Sequence, residues 1–362
     1  MIARILRTVA GPVIAIVLAL VVTALFLTVS GYSAASAFEV MWTYGTTPES
    51  LASTVNNAIP LYFAGIAAAF SLRMGLFNIG VDGQYRVAAL VGAVVAASLP
   101  FPLWITLPLT LLASAAAGAA WALVPALLKV YRGVNEVITS ILMNAIATTV
   151  VAVLLADVFR SGGGQNTGSA PIGENGSMPA LIDLGGRVQI SGFLPIAVLL
   201  GIGFFLLHER TVWGYTVTVA NLSPDAAESA GISVRRRIVT SLLASGAIAG
   251  LVGLPHVLGT AHRLDGTLPT DLMFTGLAAA LLGRSHPIGT ALGALVLAFV
   301  ERSAQVLGIV KLPTEVGTLF LAVVLLSSAL GYWVVENGER RVALMAAIRR
   351  TRAGRAKEAS TR

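Results

Sequence analysis

Long apolar runs recur along the chain, and few polar residues separate them. Residues 11–29, "GPVIAIVLALVVTALFLTV", carry no charge. A bilayer crossing takes about 20 such residues. Only 11% of the 362 residues are charged and 56% are hydrophobic, with mean hydropathy +0.84. A soluble domain carries about 25% charged residues. The chain therefore reads as an all-α polytopic integral membrane protein of about ten transmembrane or re-entrant helices. The expected spans are 11–30, 51–72, 84–99, 103–129, 137–157, 192–207, 238–259, 270–283, 287–300 and 313–335. The pair 270–283 and 287–300 is short enough to form one re-entrant hairpin around "GRSHPIG".

The run from Val13 to Val29 exceeds the 7–15 residues of a signal-peptide core, so an uncleaved first span is expected. There is no cysteine, which excludes disulfides and thiolate chemistry. A net charge of +7 invites nucleic acid as a partner, but the basic residues sit at segment ends and in the tail. With both termini inside, the outer segments hold only Arg160, Arg187, Arg263, Arg302 and Lys311 of the 24 Lys and Arg. That bias places both termini in the cytoplasm and makes the lipid bilayer, not nucleic acid, the polymer-scale partner.

This organisation gives a transmembrane domain over 1–336 and a basic cytoplasmic tail over 337–362. A Gly-, Ser- and Asn-rich outer loop spans 158–191, either a flexible linker or a docking surface for an extracytoplasmic partner. "GAIAG" (Gly246 to Gly250) and "GTALG" (Gly289 to Gly293) place small residues four apart, as close helix packing in lipid requires. "GLFNIGVDGQYRVAALVGAVVA" and "GRSHPIGTALGALVLA" share a Gly-rich break before a small-residue helix, a faint trace of a repeat.

Three stretches carry polar chemistry. In "GLFNIGVDGQYRVAAL", Gly75, Gly80 and Gly83 break a helix near Asn78, Asp82, Gln84 and Arg86. Two readings stand: a broken helix whose amides face a solute path, or an Asp82–Arg86 pair one helical turn apart. In "YRGVNEVITSILMNAIATTV", Asn135 caps the following helix and Glu136 lies at its positive end. Asn144 lies deeper, where an amide more often joins helices than lines a path. The path candidates are Asn57, Asn78, Asp82, Gln84 and Asn144, and the structural or gating candidates are Gly80, Gly83, Asn135 and Glu136.

The third stretch is "NLSPDAAESAGISVRRR", inside a cytoplasmic loop over 208–237. Ser223 suits an N-cap, Pro224 the first helical position, Asp225 the positive end and Gly231 a left-handed terminus. A short polar helix over 224–230 is predicted, and so many ordering devices favour a lever pushed by a cytoplasmic partner.

None of Lys129, Lys311 or Lys357 follows a glycine, so there is no G-K-S/T phosphate loop and the chain is not its own P-loop ATPase. His208, His256, His262 and His286 lack H-E-x-x-H spacing, and no metal site is expected. No nucleophile, base and orienter constellation is visible, so an enzyme is disfavoured.

"GLFNIGVDGQ", "GVNEVITSILMN" and "AAESAGI" together resemble the permease subunits of bacterial ABC importers. The nearest group is the nucleoside and simple-sugar importers served by basic-membrane-protein-type binding lipoproteins. Ribose and branched-chain amino acid permeases are more distant. The resemblance runs from about Thr54 to Leu330, with Asp82 standing where the usual motif has Glu. It implies a multi-pass protein of a bacterial plasma or inner membrane, and import of nucleosides or, alternatively, of ribose- or galactose-type sugars. It implies an extracytoplasmic solute-binding lipoprotein, a second permease of the same or a paralogous chain, and two cytoplasmic ATP-binding subunits. ATP and Mg would be bound by those subunits, leaving this chain without a cofactor. Ser223, Pro224, Asp225, Glu228 and Gly231 would form the ATPase-coupling helix, and the polar positions of the first two stretches would lie near the path. An ion-coupled secondary transporter is the rival, with Asp82 its only reasonable titratable group.

Overall fold

A computed structural model describes residues 2–161, 168–183, 185, 188–266, 268–309 and 315–328. The basic tail expected over 337–362 lies outside the described residues, as do parts of the 158–191 loop.

Every expected span contains a helix. These are α1 (Ile2–Val29), α3 (Pro48–Leu72), α4 (Val81–Ser98), α5 (Leu103–Arg132), α6 (Glu136–Asp157), α7 (Phe193–Arg210), α10 (Val234–Ala249), α12 (Leu272–Leu282), α13 (Pro287–Ala304) and α14 (Glu315–Ser328). Among the described residues, seven helical stretches are long and apolar enough to cross a membrane; α4, α12 and α14 are the remaining three. Two further helices carry no apolar run of spanning length, and the sequence reading missed both: α2 (Ala34–Gly45) and α8 (Val212–Leu222).

The caps follow from the sequence. Thr47 accepts from the Ser50 N–H and Pro48 takes the first turn of α3. Asn135 accepts from the Val137 N–H at 2.8 Å, with Glu136 in the first turn of α6 as expected. α3 is the most buried membrane-length helix and packs against α10, α12 and α13. Its buried residues include six Ala and Gly65, small enough to let neighbouring backbones close in.

"GAIAG" does what its spacing predicts. A Cβ on Gly246 would sit 2.7 Å from the Gly118 carbonyl oxygen, and one on Gly118 would sit 2.9 Å from the Gly250 Cα. The α5–α10 crossing therefore has room for hydrogen only. Gly293 meets the Ala279 carbonyl in the same way at the α12–α13 contact.

Irregular backbone occurs at "GRSHPIG", as expected, and also before α12, where none was expected. "GRSHPIG" is a tight turn between α12 and α13, with Arg284 and Ser285 both left-handed (φ 52 and 53). The long break precedes α12. Beyond α10 come α11 (Leu254–His256), a π-helical turn (Val257–Ala261) and left-handed residues His262 and Asp271. Hydropathy hid this break, because Leu, Val, Gly and Ala serve a π-turn as well as an α-helix.

The described residues of the 158–191 loop make specific backbone bonds that its Gly-, Ser- and Asn-rich composition does not suggest. Met178 N–H donates to the Leu258 carbonyl and Ile172 N–H to the His262 carbonyl, both at 2.8 Å, so the loop binds carbonyls beside the π-turn. It also folds a hairpin of β1 (Ala180–Asp183) and β2 (Gln189–Ser191), paired antiparallel. Asn56 of α3 clamps this hairpin, donating to the Gln189 carbonyl at 2.8 Å and accepting from the Ser191 N–H at 2.9 Å.

Candidate functional site

Four connections meet at one end of the bundle: 73–80 between α3 and α4, 133–135 between α5 and α6, 211–233 between α7 and α10, and 283–286 between α12 and α13. Each of the three polar stretches contributes to one of these connections.

The first stretch is a broken helix. α3 stops at Leu72, Gly75 turns the chain at φ 74, and α4 starts at Val81. Asn78 and Gln84 are 5% and 1% exposed. Asn78 Nδ2 donates to Gln84 Oε1 at 2.9 Å and to Ser245 Oγ at 2.8 Å. Its Oδ1 accepts from Gln84 Nε2 and from the Gly80 N–H, both at 3.0 Å. All four hydrogen-bonding positions of Asn78 are used. In this conformation the Asn78 amide, bonded in turn to Gln84, links the start of α4 to α10.

Asn144 makes a second lock. Its Nδ2 donates to the Ile79 carbonyl at 2.7 Å and its Oδ1 accepts from the Gly83 N–H at 2.8 Å. A Cβ on Gly83 would stand 2.9 Å from the Asn144 Cα, so glycine is needed for this approach. Gly80 is the N-cap residue of α4, with no side chain to do the capping. Glu136, 7% exposed, is paired with Lys129 at 2.7 Å across the α5–α6 turn. Asn57 is exposed, while its neighbour Asn56 takes the structural bonds to β2.

The expected alternative of an Asp82–Arg86 pair does not form: no ion pair joins them among the described residues. Asp82 Oδ1 instead accepts from the Met273 N–H at 3.2 Å. α12 begins at left-handed Asp271, which makes no side-chain cap, and Asp82 supplies the acceptor from α4. The charge fits, since both α4 and α12 present positive N-terminal ends there. The Tyr85 hydroxyl also donates to the Pro269 carbonyl. α12 has 11 residues, about 16 Å, against a hydrocarbon core of about 30 Å. Its C-terminus lies at the end carrying Arg73, so the Asp82 cap lies partway across the bundle. Asp82 and Arg86 are partly exposed and Asp271 is exposed, giving one chain a polar face at that depth. Such groups in membrane segments normally face a partner or a watery cavity.

The third stretch folds as predicted, one residue shorter. Ser223 accepts from the Ala226 N–H, α9 runs Pro224–Ser229, and Gly231 ends it at φ 78. The Ile232 N–H returns to the Ala227 carbonyl at 2.9 Å, completing a Schellman turn. Ser223, Pro224, Asp225 and Glu228 are exposed. Ala227 is fully buried in a small apolar cluster with Met74, Leu76, Ala126, Val217 and Leu242. α9 thus shows a polar face outward and seats one methyl in the apolar cluster that Met74 and Leu76 share.

Known proteins resemble the chain over this same region. The family model described as branched-chain amino acid transport system / permease component matches residues 50–329. The guanosine ABC transporter permease protein NupP of Bacillus subtilis is 35% identical over 69% of this chain and 72% of its own. The glucose ABC transporter permease protein TsgB13 of Haloferax volcanii is 32% identical over 70% and 68%. The nucleoside ABC transporter permease protein NupB of Lactococcus lactis is 27% identical over 70% and 71%. No solved structure matches the chain. Permease components work with ATPase and solute-binding partners and span the membrane several times, as these apolar helices do. With the family model covering most of the chain, the protein belongs to the branched-chain amino acid transport system / permease component family and is the membrane-spanning permease subunit of an ATP-binding-cassette transporter.

Proposed function

We propose that this permease carries nucleosides into the cell, together with a second permease of the same or a paralogous chain, two cytoplasmic ATP-binding subunits and an extracytoplasmic solute-binding lipoprotein. The observation carrying this reading is the 35% identity to a guanosine permease, supported by the nucleoside permease at 27%. A glucose permease at 32% favours a second reading, simple-sugar transport. A neutral, hydroxyl-rich solute is common to both.

The end bearing α9 is the cytoplasmic end, as the positive-inside bias favours. Both termini lie on that side and the 158–191 loop on the other. α9 is the ATPase contact, with Ser223, Pro224, Asp225, Glu228 and Gly231 holding its shape and outer surface. The face bearing Asp82, Arg86 and Asp271 closes on the second permease to line the path. Asn78, Gln84, Asn144, Gly80 and Gly83 hold that face in place, and Asn135 and Glu136 fix the neighbouring α6. ATP and Mg reside in the partner subunits.

Uptake of labelled guanosine by cells with and without this chain tests the solute, with unlabelled ribose and glucose as competitors. Loss on deletion, unaffected by the sugars, is expected. Competition by glucose at equal concentration would favour the sugar reading.

A further inference from the structure

The segment that follows α3 touches both the lever and the membrane helices. Arg73, the residue just beyond α3, makes three connections. Its Nη1 pairs with Glu209 Oε1 at 3.0 Å, at the end of α7. Its Nη2 donates to the Ser285 carbonyl at 3.3 Å, in the α12–α13 turn. Its own carbonyl accepts from Asn221 Nδ2 at 3.3 Å, two residues before the Ser223 cap of α9. Met74 and Leu76, the next residues inward, share the apolar cluster with Ala227 of α9. Asn78 then ties the same segment to α4 and α10.

The Ser285 turn is strained. Arg284 and Ser285 are consecutive non-glycine residues with positive φ, a conformation that persists only where surrounding contacts impose it. Arg73 supplies one such contact from outside the turn. It also brings together the two Gly-rich breaks that precede α4 and α13.

We propose that Arg73 is the joint through which displacement of α9 reaches α3, α7 and the α12–α13 turn. A push on α9 moves Asn221 and Ala227 against the 73–76 segment, and the Arg73 guanidinium carries that motion to Glu209 and Ser285. Arg73 acts as a positioning residue, through its contacts with Glu209, Ser285 and Asn221. The inference rests on α9 being the ATPase contact.

The test uses the whole transporter in proteoliposomes with its ATPase subunits and binding protein, comparing Arg73→Gln, Glu209→Gln, the Arg73→Glu/Glu209→Arg exchange and Glu228→Arg on the outer face of α9. Expected for Arg73→Gln and Glu209→Gln is normal co-purification of the ATPase, with solute carried per ATP hydrolysed reduced about fivefold. The exchange variant restores part of that ratio, which loss of folding alone would not do. Glu228→Arg weakens ATPase capture instead. An unchanged transport-to-hydrolysis ratio in both Gln variants, while Glu228→Arg blocks capture, overturns the joint alone. Normal capture and transport by Glu228→Arg overturns the reading of α9, and with it the route assigned to Arg73.

Discussion

Asn78 and Gln84 bond each other in both directions, at 2.9 and 3.0 Å, inside the break between α3 and α4. Six residues apart, they close a loop over the start of α4, and Ser245 joins it to α10. Ser245 in turn donates to the Ala67 carbonyl of α3 at 2.6 Å. One polar knot therefore fixes three helices where apolar packing has no directional preference.

Replacing Asn78 by Ala leaves the buried Gln84 amide without its partner and takes the Asn78 donor from Ser245, which keeps its bond to the Ala67 carbonyl, at a cost of about 1–3 kcal/mol. A thermal-unfolding series in detergent checks this. The Asn78→Leu/Gln84→Met double variant is expected to lose less than the sum of its single changes, because both partners become apolar together.

Gly246 and Gly203 make a matched pair. Gly246 faces the Gly118 carbonyl across α5–α10, whereas a Cβ on Gly203 of α7 meets nothing within 4 Å. Gly246→Leu is expected to separate the helices, with destabilisation of about 3 kcal/mol or more. Gly203→Leu is expected to leave the midpoint of heat-induced aggregation within a degree or two of the parent, by roughly the shift a neutral surface change allows.

Gly231 holds φ 78 and its N–H donates to the Glu228 carbonyl. Proline can satisfy neither requirement. Gly231→Pro is expected to abolish uptake while the protein still inserts, as membrane fractionation would record. Gly231→Ala is expected to cost about 1 kcal/mol and retain most uptake.

Asp82→Asn keeps an acceptor for the Met273 N–H and removes the charge, whereas Asp82→Ala removes the cap. If Asp82 caps α12, Asn retains most uptake and Ala loses about 1 kcal/mol of stability. An ion-coupled carrier using Asp82 would lose transport in both variants, so initial uptake rates separate the two.

Much of the architecture was legible because its signals are local. Asn135 and Ser223 are caps written into single residues, and the Gly246–Gly250 spacing predicts close packing without knowledge of the partner helix. The ends of α9 were equally clear from Ser223, Pro224 and Gly231. Pairings across the chain were not legible. Asp82 is 191 positions from Met273, and nothing near Asp82 favours that acceptor role over a contact with Arg86 four residues away. The amides of Asn78 and Gln84 suggested a solute path because a polar group in an apolar segment needs a partner, and sequence does not reveal that they choose each other. Arg73 passed as one more inside charge, since its Glu209 and Ser285 contacts lie far along the chain, on α7 and in the α12–α13 turn. α2 and α8 escaped because hydropathy detects spans and not short helices beside them.

The most direct test of the central claim is guanosine entry into proteoliposomes holding this permease with its ATPase subunits and binding protein. Uptake that requires both ATP at the ATPase face and the binding protein, and that survives a protonophore, is the predicted result. Uptake that continues without ATP and collapses with the protonophore would contradict it.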